Sequence, residues 1–364
     1  MHAAITAIGT ANPAFKSHQD HLANVMADMF HLNATQKKVL QRIYKSSGIT
    51  NRHSVLSDCC KLAGEFEFFP NEPQVDFPTT AKRMAIYKDQ ALPLALAAIA
   101  DCLGTRAPET VTHVITVSCT GMYAPGLDIE IVKALNLKSS TKRTAINFMG
   151  CYGAFNGMKV ADAFCRADPD AVVLLVCVEL CSIHIQNGTN LDTMISNAIF
   201  ADGAAAVLIQ GLPDDGNRHL RFKSFYCDLL PQTSQDMAWQ IADFGFDMVL
   251  TAYVPEAIKS GIAAFTDRLF AQSSQLLGDI DYFAIHPGGI KILHACEASL
   301  HLKPFDNRFS YDVLRQFGNM SSATVLFVLK QIWDDLTNED QHKSIFSCAF
   351  GPGLTVESML LEIL

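Results

Sequence analysis

Residues 145–165 read AINFMGCYGAFNGMKVADAFC. A short run with strand character, Thr144-Ala145-Ile146-Asn147-Phe148, leads into Met149-Gly150-Cys151-Tyr152-Gly153. Beyond it, apolar Ala154, Phe155, Met158, Val160, Ala161 and Phe164 recur at helical spacing. The pattern places Cys151 where a strand hands over to a helix. Flanking glycines permit a tight corner, and a helix N-terminus carries a partial charge of about +0.5. Both favour the thiolate, the form that attacks electrophiles. Most free cysteines are small buried hydrophobes, so a reactive Cys151 requires a base elsewhere in the chain.

The chain has 364 residues, 49% hydrophobic and 18% charged, which implies a large core and admits two or three domains. A formal charge of −9 argues against nucleic acid or an anionic membrane as partner of the whole molecule. An anionic substrate must therefore meet a local basic patch. The 11 cysteines include no CxxC pair, which argues against zinc ribbons and thioredoxin-like motifs. Their apolar settings fit a reducing, cytoplasmic environment. The start, MHAAITAIGTANPAFK, lacks the charged region of a secretory signal, and no apolar run approaches the ~20 residues of a membrane span.

Outward from Cys151, strands are expected at 3–9, 113–118, 171–176 and 204–209, the apolar runs implying cover on both faces. Helices are expected at 17–46 and 81–103, the second with a kink or boundary at Pro93, and a loop at 57–80. The first helix carries Lys37, Lys38, Arg42 and Lys45, the densest basic cluster in the sequence. It reads either as a solvated face or as a landing site for phosphates. Gly, Pro and Asp in GLPDDGNRH, 211–219, mark a linker. The pattern then restarts with a strand near 220–227, a helix near 254–277, the strand Tyr282–Ile285, a helix after Gly318-Asn319 and a strand pair at 344–363. The halves echo each other: each places a polar residue, Cys151 or Asn319, at a loop-to-helix corner. This suggests internal duplication, with halves at 1–212 and 213–364.

A nucleophilic thiol needs a base or cation within hydrogen-bond reach. Of the 12 histidines, His286 ends an apolar strand and enters Pro287-Gly288-Gly289, where a side chain can enter a cleft. A lone histidine at a strand end is more often structural, and Asn319 by preference alone reads as a helix N-cap. As a set, Cys, His and Asn suit carbonyl chemistry: the imidazolium pairs with the thiolate, and two donors hold a developing oxyanion.

The chain resembles the type III polyketide synthases, the chalcone-synthase-like group of the thiolase superfamily, on its bacterial branch. The resemblance rests on Gly150-Cys151, Phe200-Ala201-Asp202-Gly203-Ala204-Ala205, His286-Pro287-Gly288-Gly289, Gly318-Asn319-Met320-Ser321-Ser322 and the tail Phe350-Gly351-Pro352-Gly353-Leu354-Thr355-Val356-Glu357, in order over essentially the whole chain. It implies an α/β thiolase fold, two similar halves in a five-layered αβαβα sandwich, acting as a homodimer on an acyl-CoA starter and malonyl-CoA. It implies no metal or other cofactor beyond the coenzyme A thioesters. Cys151 then resembles the residue that carries the growing chain as a thioester, and His286 and Asn319 the pair that binds the malonyl thioester carbonyl. Phe200 resembles a gatekeeper aromatic, and Arg42, with Lys38 and Lys45, the site for CoA phosphates.

Cys119, Cys181 and His184 stand where plant relatives have cavity threonines. Met248 replaces a second gatekeeper phenylalanine, Trp239 stands where glycine is found, and Ala349 precedes Phe350-Gly351 where plants have glycine. With Ser321, these are the expected cavity residues, and they point away from flavonoid products. Two alternatives share the frame: an initiating ketoacyl-carrier-protein synthase making one condensation, and a non-catalytic thiolase-fold subunit. The tail and Met320-Ser321 argue against the first, and the intact Cys-His-Asn set against the second.

Overall fold

The computed structural model describes residues 3–213, 215–229, 237–251, 253–273, 275–303 and 305–364. The first half runs β1 (Ala3–Ala11), β2 (Phe15–His18), α1 (Gln19–Met29), α2 (Ala34–Lys45), β3 (Asn51–Ser54), α3 (Thr80–Leu103), β4 (His113–Ser118), α4 (Leu127–Ala134), β5 (Lys142–Asn147), α5 (Gly153–Ala167), β6 (Val172–Leu180), α6 (Leu191–Ile199) and β7 (Asp202–Gly211). The second half runs β8 (Leu220–Leu229), β9 (Met237–Ala242), β10 (Gly245–Leu250), α7 (Val254–Ser273), β11 (Tyr282–Ile285), α8 (Ile290–Leu300), α9 (Arg308–Phe317), α10 (Thr324–Asp335), β12 (Ser344–Gly351) and β13 (Thr355–Ile363).

Nine strands join in the order β11-β12-β13-β8-β1-β7-β6-β4-β5. The order repeats itself about the β1–β8 junction. β4 runs parallel to β6 as β11 does to β12, and each second strand pairs antiparallel with the next, β7 or β13. That repeat realises the two similar halves. Strand alternation then builds the layers. On β6, Val173, Leu175 and Cys177 enter one core while Leu174, Val176 and Val178 enter another. On β12, Ile345 and Ala349 join the first core, whereas Phe346, Cys348 and Phe350 face a third. The first core also holds Phe155 and Met158 of α5 and Leu326 and Leu329 of α10. The second is covered by α1 and α3, the third by α7 and α8. The two halves of this one sheet thus lie on either side of the α5–α10 pair, and helix, half-sheet, helix pair, half-sheet and helix make the expected five layers.

The expected helix at 17–46 is instead β2 followed by two helices. Asn33 stops it: its side chain accepts from Thr35 N and Gln36 N while the Gln36 side chain accepts from Asn33 N. This capping box starts α2 afresh. Helix α3 continues through Pro93 rather than ending there. The expected helix at 254–277 is α7 over Val254–Ser273, with 275–276 already coil; Ser274 lies outside the described residues. The segment 212–219 is coil, apart from Asp214, which lies outside the described residues; Gly211 still belongs to β7.

Candidate active site

Cys151 sits in a 3-10 turn, Gly150–Tyr152, between β5 and α5. The corner is bought with left-handed backbone, φ +61° at Phe148 and +75° at Gly150. A Cβ on Gly150 would lie 2.1 Å from Pro352 Cδ, so only glycine fits there. His286 follows the last residue of β11, and Asn319 lies between α9 and α10. All three line one cavity of about 600 Å³.

The Asn319 amide is held in one orientation. Its Oδ1 accepts from Ser321 N at 2.8 Å and Thr324 Oγ1 at 3.3 Å. Its Nδ2 donates to Gly288 O at 3.2 Å and lies 4.0 Å from Cys151 Sγ. Ser321 achieves this with φ +46°, a second non-glycine left-handed residue at the site. Both ring nitrogens of buried His286 lack a hydrogen-bond partner. Buried polar atoms are normally satisfied, so His286 has an N–H free for an acceptor in the cavity.

Burial pushes the Cys151 thiol up to about 12, against weaker opposing bonds from Ser321 and Asn319. Burial likewise lowers His286 to about 3. Desolvation disfavours both charged forms and outweighs the helix dipole. Burial therefore favours neutral thiol beside neutral imidazole over the expected imidazolium–thiolate pair.

Among the other expected residues, Cys119, Cys181, Phe200, Met248 and Ser321 line the Cys151 cavity. His184 lines an adjoining cavity of about 450 Å³, whose shared wall is Cys181, Phe200, Trp239 and Met248. It stacks on Phe246 at 4.2 Å, and its ring nitrogens are taken by Thr120 O and Phe246 N. Trp239 does intrude: it lines both cavities and its Nε1 donates to Cys119 O at 2.7 Å. Two expectations are corrected. Ala349 is in the α5–α10 core because strand alternation sends it there and sends Phe350 to the cavity. Gly351 is absent from the wall and instead admits the Tyr152 ring, 2.6 Å from where its Cβ would stand. Lys38, Arg42 and Lys45 are exposed on α2. The helix end beside them (Ile43, Ser46, Ser47) lines a third cavity of about 910 Å³ that shares Gly288 and Ile292 with the first.

Glu179 is a further buried polar residue at the site, outside the expected set. It is fully buried on β6, where its carboxylate accepts from Cys119 N, Thr120 Oγ1 and Ser322 Oγ. It thus ties the strand end behind Cys119 to the Asn319 turn. Burial raises it to about 7. A lone carboxylate inside the apolar run Val172–Leu180 was the available signal. Among the described residues no cluster of three or more His, Cys, Asp or Glu could hold a metal.

The fold and this cavity define a condensing enzyme of the thiolase type. Residues 1–213 match the family model of the chalcone and stilbene synthases, N-terminal domain, and residues 221–364 the C-terminal domain, so the chain belongs to that family. It is 33% identical, over all of this chain and 91% of the relative, to the alpha-pyrone synthesis polyketide synthase-like Pks18 of Mycobacterium tuberculosis. It is 28% identical to the 1,3,6,8-tetrahydroxynaphthalene synthase of Streptomyces peucetius subsp. caesius, over 98% of this chain and 92% of that protein. The crystal structure of PKS-I from the brown alga Ectocarpus siliculosus superposes with a TM-score of 0.92 at 29% identity, covering 100% of this chain and 98% of that one. The protein is a CoA-dependent acyltransferase, a type III polyketide synthase. No helix among the described residues is long and apolar enough to cross a membrane.

Proposed function

We propose that Cys151 takes the acyl group of a CoA starter and that His286 and Asn319 condense malonyl units onto it, followed by cyclisation to a small aromatic or pyrone product. The observation that carries the assignment is the convergence of one free His286 N–H and one oriented Asn319 N–H on the Cys151 cavity. Neutral His286 takes the thiol proton as the Cys151 sulfur attacks the starter carbonyl; the C–S bond to CoA breaks and the proton leaves on the CoA thiol. Malonyl-CoA then presents its thioester carbonyl to the two N–H groups. Loss of CO2 leaves an enolate on that oxygen, where one such donor is worth about 2.7–4 kcal/mol in a protease oxyanion hole. The enolate carbon attacks the Cys151 thioester, and CoA carries off the lengthened chain for return to Cys151.

The third cavity suits the pantetheine arm, with Arg42, Lys38 and Lys45 outside it for the CoA phosphates. In this reading residues 1–212 supply the nucleophile, and 213–364 the histidine and asparagine. Strand β5, with alternate residues exposed, ends the sheet, and an unpaired edge is a template for a second chain; we assign the homodimer to it, in the cytoplasm. The pyrone product is favoured by the Mycobacterium relative's name. The test is incubation with malonyl-CoA and a panel of fatty and aryl acyl-CoA starters, read by mass spectrometry. Starter-dependent polyketides that vanish in Cys151→Ala are expected; products persisting in that variant would overturn the nucleophile's assignment.

A further inference from the structure

The mouth of the third cavity carries more than a nucleotide phosphate needs. Lys38, Arg42 and Lys45 share a face of α2 at i, i+4 and i+7, about 10 Å from first to last at 1.5 Å per residue. Ser46, four residues after Arg42, reaches the cavity wall. Exposed Lys291 opens α8 and lines the same cavity, and exposed Lys259 is one turn beyond Pro255 of α7, another wall residue. None of these five cations makes an ion pair with a described residue, whereas Lys37, on another face of α2, pairs with Asp28. Asp192 and Glu256 are the carboxylates on the wall-forming stretches of α6 and α7. The mouth is thus a positive patch on a chain of net charge −9.

Between the cations the rim is apolar. Val39 is 44% exposed one turn before Ile43 of the wall, Leu191 is 53% exposed at the wall itself, and Tyr253 is 60% exposed beside Val254. An apolar centre with a polar rim is the make-up of a protein interface, and the exposed apolar side chains offer nothing to a phosphate.

We propose that this mouth docks an acidic acyl-carrier protein, whose phosphopantetheine arm enters the cavity and delivers the starter to Cys151. The proposal rests on the condensing reaction above. Chemically the step matches delivery from CoA: Cys151 sulfur bonds the acyl carbon, the carbon–sulfur bond to pantetheine breaks, and the Cys151 proton ends on the pantetheine thiol.

The test uses whichever acyl group the CoA screen shows to be extended, loaded on a fatty-acid-synthase carrier protein and compared with the same group on CoA. The proposal expects the carrier-bound starter to be extended, with a rate that falls steeply between about 50 and 300 mM salt as charge steering is screened. The double variant Tyr253→Asp, Lys259→Glu should lose about tenfold in kcat/KM with the carrier-bound starter and less than about twofold with the CoA starter. No product from the carrier-bound starter, or equal losses with both, overturns the docking surface. Failure of every CoA starter would instead overturn the condensing reaction itself.

Discussion

The sulfur of Cys119 accepts the backbone N–H of Gly150 at 2.8 Å. The residue before Cys151 is thereby tied to the end of β4, in a left-handed conformation that a free loop would relax. Cys119 is thus a support of the Cys151 corner as well as a wall residue. Cys119→Ala leaves a buried N–H unpaired, at about 1–3 kcal/mol. We expect a lower urea midpoint and a lower kcat for Cys119→Ala, with Cys119→Ser, which keeps an acceptor, recovering part of both. An alanine variant as stable and as fast as the parent would show the bond to be without consequence.

A neutral thiol beside a neutral imidazole has a pH signature. With Cys151 pushed up to about 12 and His286 down to about 3, thiolate is scarce at neutrality. Alkylation of Cys151 by iodoacetamide in the absence of substrate should rise about tenfold per pH unit from 7 to 10, without a plateau. His286→Ala should leave that slope unchanged. A plateau below pH 8 that disappears in His286→Ala would establish an ion pair in the resting site.

The frame is legible because the strands covered on both faces are continuous apolar runs: His113–Ser118 matches β4 to the residue, and His286 directly follows such a run in β11. What escaped depended on contacts between distant residues. Lys37 to Lys45 looked continuous with the helix before it until Asn33 took up the N–H groups of a new one. The hairpin of β9 and β10 is hidden in the sequence because MAWQIA and GFDMVL mix both periods. Yet its register sets Trp239 opposite Met248 and so shapes the cavity. Ala349 was misplaced because one residue's shift along a strand reverses its face, and sequence alone does not say which face meets the cavity.

Glu179 makes stability depend on pH. Its folded value of about 7 lies above the ordinary carboxylate range, so the folded chain holds a proton there that the unfolded chain releases between about pH 4.3 and 7. Stability from this group is complete below about 4.3 and is lost as pH rises to 7, on the order of 3 kcal/mol. Asp202, raised by burial to about 6, adds to the same trend. Glu179→Gln can keep the acceptor toward Cys119 N and Thr120 while its amide donates to Ser322 Oγ. We expect its melting temperature, relative to the parent, to rise from pH 5 to pH 8. A difference that stays constant with pH would place Glu179's titration outside this window.

Trp239 and Met248, its partner across the hairpin, stand with Cys181 and Phe200 between the Cys151 cavity and the one lined by His184. The indole is anchored by its bond to Cys119 O and by edge contacts with His184 and Phe246. Removing it joins two spaces whose remaining walls are fixed by strands and by the His184–Phe246 stack. Trp239→Ala should therefore admit bulkier starters or further extensions, at a cost of about 1 kcal/mol for the lost hydrogen bond. Met248→Phe, which fills the same partition, should shift products toward shorter chains. The measurement is the ratio of products by chain length across the starter panel, which a general loss of activity would leave unchanged. If both variants give the parent ratio, the partition does not set chain length, and control passes to the anchored His184 ring beyond it.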